Sequence, residues 1–79
     1  MEENFETFGG RLKYLMRMHG MTNSMLAERL HITSANIYRY LNGIRKPSVE
    51  KVLALADIFA VDVAWLIGQR ERYPRPDGK

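Results

Sequence analysis

The chain has 79 residues, a formal net charge of +3, 46% hydrophobic residues and no cysteine. That length points to one domain with a thin core. The missing cysteine excludes disulfides, thiolate chemistry and cysteine-ligated zinc or iron–sulfur sites.

The start, MEENFETF, lacks the basic-then-apolar pattern of a secretion signal. No apolar run approaches the ~20 residues of a membrane span. A cytoplasmic, nucleoid-associated location without a membrane partner is expected. In chain order, FGGRLKYLMRMHG places Phe8, Leu12, Leu15 and Met16 on one helical stripe, with Arg11, Lys13 and Arg17 elsewhere. A first helix is predicted over residues 6–19, stopped at Gly20.

Thr22 can cap a second helix that runs to Leu30, with Leu26, Ala27 and Leu30 inward. His31 and Ile32 form a turn. Thr33 caps a third helix ending at Asn42-Gly43, where glycine tolerates the left-handed conformation. Ser48 caps a fourth, with Glu50 in its first turn complementing the dipole. Its predicted inward stripe is Val49, Val52, Leu53, Ala56 and Phe59. Asp62 opens a short fifth helix, VAWLIG. Strand-like alternation is missing, so the fold class is all-α. The tail QRERYPRPDGK, with two prolines and many charges, reads as extended. The domain is placed at residues 1–68 and the tail at 69–79.

The second and third helices are short and separated by a turn of about three residues, the helix-turn-helix arrangement. With Ile37 at zero on a wheel of ~100° per residue, Leu41 lies about 40° one way and Tyr40 about 60° the other. Those three residues form the inward face. Ala35, Tyr38, Arg39 and Asn42 lie opposite, Ser34 projects at the N-terminal end, and Asn36 sits on a flank. The outward face is therefore small, polar and basic.

Between Arg11 and Lys51 the chain carries eight basic side chains against Glu28 and Glu50. Such a surplus suits a polyanionic partner, although a solvated basic surface would read the same on charge alone. A helix N-terminus carrying only Ser34 and Ala35 can come close to a surface and offer N–H groups to phosphate. The major groove of DNA admits such a helix. Arg39 suits guanine O6 and N7, Ala35 a thymine methyl, and Ser34 and Asn36 donate or accept. Asn42, Arg45 and Lys46 suit phosphates beside the groove. Alternatives stay open residue by residue. Asn42-Gly43 is a common helix terminus, Arg39 has Glu28 as another possible partner, and Tyr38 can pack on Arg17 or Arg29.

No catalytic set is evident. His19 and His31 are the only histidines, each isolated at a helix end, and no paired carboxylates, phosphate loop or nucleophile–base pair accompanies them. Neither an enzyme, a metal site nor a cofactor is expected.

Three segments, FGGRLKYLMRMHGMT, LAERLHITSANIYRYLNGIRKPS and VLALADIFAVDVAWLIG, carry a resemblance that runs from Phe8 to Gly68. In order and spacing the chain resembles the lambda-repressor-like, or Cro/XRE-type, helix-turn-helix family. The resemblance implies a compact five-helix domain that binds double-stranded operator DNA with its third helix in the major groove. It implies Ser34, Ala35, Tyr38 and Arg39 as base-facing residues, and Thr22, Asn23, Asn42, Arg45 and Lys46 as backbone contacts. The chain departs from the family at Asn23, where glutamine is usual, which shortens the reach from that position. It departs also at Met16 and Leu41, where the family often has a buried arginine–glutamate pair. Both partners are replaced together, so no charge is stranded, and such exchanges are often neutral or stabilising.

A transcriptional regulator is the leading expectation, a repressor acting as a homodimer on a palindromic operator. Val63, Trp65, Ile67 and Tyr73 are the candidate dimer patch, with closure of the domain's own core as the alternative for Trp65. The other class is an antitoxin-like module that binds a toxin or another protein, with the charged tail as the contact.

Overall fold

A computed structural model describes residues 5–68. Five helices form: α1 (Phe8–Met18), α2 (Asn23–Leu30), α3 (Ser34–Leu41), α4 (Val49–Phe59) and α5 (Val63–Leu66). No strand occurs among the described residues. The caps explain the boundaries. Thr22 Oγ1 accepts from Met25 N at 3.1 Å, Thr33 Oγ1 from Asn36 N at 3.2 Å, Ser48 Oγ from Lys51 N at 3.2 Å, and Asp62 Oδ1 from Ala64 N at 3.0 Å. Each satisfies an amide that the helix cannot pair internally. The first helix begins later than the expected residue 6, because Thr7 caps it by accepting from Gly10 N at 2.9 Å.

The core gathers Leu12, Leu15 and Met16 from α1, Leu26 and Leu30 from α2, Ile37 and Tyr40 from α3, Leu55 and Phe59 from α4, and Trp65 and Leu66 from α5. α3 packs on both α1 and α2, and α5 on both α4 and α1. The approach of α1 to α3 is unusually close at Gly9. A Cβ there would stand 2.8 Å from the Leu41 carbonyl carbon and nearer still to its oxygen. Only glycine lets the start of α1 lie on the last turn of α3.

Three expectations are corrected. In α4, Leu55 is fully buried, whereas Val49 and Leu53 are exposed at 76% and 53%. The segment VEKVLALADIF is apolar around much of its circumference, so several stripes fit its pattern equally well. Arg11, expected on the surface, is 2% exposed. Its Nε donates to the Phe5 carbonyl and its Nη1 to the Trp65 carbonyl at 2.6 Å. Trp65, a candidate for the dimer patch, is itself 2% exposed, so its side chain offers no surface to a partner. It closes the core.

The positions of the family's frequent ion pair hold a buried Met16 and a half-buried Leu41. Among the described residues no buried side-chain nitrogen or oxygen lacks a hydrogen-bond partner.

Candidate nucleic-acid interface

The site is built on the α2–turn–α3 unit. α2 ends at His31, which takes the left-handed conformation (φ 60°, ψ 43°). This reverses the chain within His31, Ile32 and Thr33. The Ile32 amide then donates back to the Ala27 carbonyl at 3.0 Å, which locks the turn. Ile37 and Tyr40, 0% and 4% exposed, pin α3 to the body through its inward face. Leu41 is half-buried beside them.

That anchoring leaves Ser34, Ala35, Tyr38, Arg39 and Asn42 exposed, while Asn36 is half-buried on the flank. The phase expected for α3 is the phase observed. Arg39 does not pair with Glu28. Its Nη1 donates to Asn36 Oδ1 at 3.1 Å, joining two of the candidate base-facing residues. Asn42 is exposed and ends the helix, its Nδ2 donating to the Tyr38 carbonyl at 2.9 Å, which leaves its second amide hydrogen as a donor.

At the start of α2, Thr22 is exposed and Asn23 half-buried. The Thr22 oxygen accepts the capping bond, and its hydroxyl hydrogen can still donate to an anion. Arg45 and Lys46 are exposed in the loop after α3, and Lys13, Arg17 and Arg29 are exposed on α1 and α2. Of the eight basic residues between Arg11 and Lys51, six are exposed, Lys51 is half-buried and Arg11 is buried. A cleft of about 350 Å³ opens beside the loop, lined by Thr7, Tyr40, Arg45, Lys46, Val52 and Ile67 among others. Of the proposed dimer patch, Val63 is half-buried and Ile67 is 45% exposed; Tyr73 lies outside the described residues. Exposed apolar side chains without a sequence signal include Met18 on α1, Met25 on α2 and Ile44 between Gly43 and Arg45.

A two-helix unit with a three-residue turn, its second helix half sunk in the core and half bare, defines a known architecture. The model of the helix-turn-helix family matches residues 12–66. The chain belongs to the Cro/C1-type helix-turn-helix family. An uncharacterized HTH-type transcriptional regulator, YobD of Bacillus subtilis (strain 168), is 31% identical over 58 residues, which are 73% of this chain and 52% of the relative. A crystal structure of a transcriptional regulator from Listeria innocua superposes with a TM-score of 0.77 at 30% identity, covering 87% of this chain and 65% of that one. This helix-turn-helix chain thus spans about half the length of the curated relative it matches, and less than two thirds of the solved one. Among its described residues no helix is long and apolar enough to cross a membrane, and no group of three or more His, Asp or Glu residues could hold a metal ion.

Proposed function

We propose that this chain binds double-stranded DNA sequence-specifically, with α3 in the major groove, and serves as a transcriptional regulator. The observation that carries the reading is the division of α3. Ile37 and Tyr40 are buried, and the opposite face presents Ser34, Ala35, Tyr38 and Arg39 to solvent. The short side chains at its N-terminus allow close approach, and Arg39 supplies the long reader. Thr22, Asn23, Asn42, Arg45 and Lys46 hold the backbone on either side. The likeness to the Bacillus subtilis and Listeria innocua transcriptional regulators supports the same reading.

Within that reading the protein acts as a homodimeric repressor on a palindromic operator. One copy presents a single short helix to the groove, so affinity depends on two half-sites being engaged together. Val63 and Ile67 are the remaining described candidates for the contact between copies.

The test is fluorescence anisotropy with duplexes recovered from a random pool. Binding must fall steeply as salt rises, because neutralised phosphates release counterions. The recovered site must be two-fold symmetric, and the complex must contain two chains by sedimentation. Absence of binding to any duplex would sink the proposal. It would favour a protein partner such as a toxin, for which the exposed Ile44, Val49 and Leu53 provide apolar surface.

A further inference from the structure

We infer that Asn36 is not a base reader but the residue that aims Arg39, and that the pair restricts one position of the site to guanine. This rests on the proposed docking of α3 in the major groove.

The bond from Arg39 Nη1 to Asn36 Oδ1 is 3.1 Å long and spans one helical turn. Arginine has only donors, so the Asn36 atom facing it must be the oxygen, which settles the orientation of the amide. Asn36 is itself held. It is half-buried, and its backbone amide donates to the Thr33 hydroxyl at 3.2 Å and to the Thr33 carbonyl at 3.0 Å. Asn36 thus offers an acceptor, from a half-buried position on the first turn of the helix, to one end of the exposed Arg39 side chain.

Two consequences follow for recognition. The guanidinium edge formed by Nε–H and Nη2–H stays available as two parallel donors, matching the O6 and N7 acceptors of guanine. Reading adenine would require Asn36 to accept from N6 and donate to N7 in one plane. Its oxygen is directed at Arg39, which turns the amide away from that geometry. The Arg39 edge left for the groove carries donors only, and it disfavours the adenine N6 and cytosine N4 amino groups.

The experiment is selection of sites from random duplexes by the wild-type chain and by N36A, N36D and R39A, each checked for fold by circular dichroism. The wild type is expected to recover a site with one guanine per half-site that R39A no longer requires. N36A should keep the other positions and lose most of the preference at that guanine, on the order of tenfold. N36D restores an acceptor of the same shape. It should restore the guanine preference while binding every duplex more weakly, because it adds a negative charge beside phosphate. Full guanine preference in N36A overturns the inference, and so does an equal loss at all positions. Replacement of the guanine by adenine in the wild-type site also overturns it. Failure of the wild type to select any duplex would be a failure of the docking itself, which these arms keep separate.

Discussion

The guanidinium of Arg11 lies 5.4 Å from the ring centroid of Trp65 and donates to the carbonyl of that same residue at 2.6 Å. The contact bridges residues 54 positions apart. A second donor on the same group reaches the Phe5 carbonyl, so one buried cation ties the segment before α1 to α5. Removing it takes the side-chain donor from the Phe5 carbonyl, leaves the Trp65 carbonyl with the Gly68 amide at 3.1 Å, and takes a charge from the face of an indole. We expect R11A to lose about 2–4 kcal/mol of stability, from two lost charge-assisted hydrogen bonds and the lost cation–π contact. R11K, whose compact ammonium lacks the planar fork, should lose about 1–2 kcal/mol. The check is the midpoint of urea unfolding at constant m-value.

Gly9 makes a second stability prediction. A methyl group added there meets the backbone of Leu41 and Tyr40 rather than a side chain that could swing aside. G9A should therefore cost about 1–3 kcal/mol, as overpacking does where nothing can yield. Because α3 is the element displaced, amide exchange should quicken first in its last turn.

Ala60 points the other way. It ends α4 in the left-handed conformation, at φ 55° and ψ 47°, which strains any residue with a Cβ. A60G should relieve that strain and raise stability by about 0.5–1 kcal/mol, read from the same urea curves. A fall in stability would mean that the entropy of the more flexible unfolded chain outweighs the strain.

Phosphate and base contacts should separate in the binding data. K46A should weaken all duplexes alike and lower the slope of log affinity against log salt by about one unit. R39A should lose about 1–3 kcal/mol on the selected site and much less on random DNA. Equal losses from both variants on both kinds of DNA would refute this division of roles.

The legible and illegible parts of the molecule differ in the range of the interactions behind them. Thr22, Thr33, Ser48 and Asp62 were readable as caps because a side-chain oxygen ahead of an apolar run acts within three residues of itself. The face of α3 was readable because its inward residues are few and sharply phased. α4 was not, since Val49 and Leu53 are as apolar as the Leu55 that the core takes in their place. Arg11 and Gly9 were unreadable for another reason. Their roles depend on α5 and on the end of α3, which only tertiary packing brings to them. A local pattern assigns any arginine beside an apolar stripe to solvent. Of the candidate site, composition and phase located the surface, but the Asn36–Arg39 bond that orders it depends on rotamers.

The central claim is that α3 lies in the major groove with Arg39 on a guanine. Guanine N7 is exposed only in that groove, so methylation interference on the selected duplex tests the claim most directly. Methylating N7 of the guanine assigned to Arg39 should abolish wild-type binding and make little difference to R39A. If wild-type protein binds duplexes methylated at every guanine N7 as well as unmodified ones, α3 does not read the major groove as described.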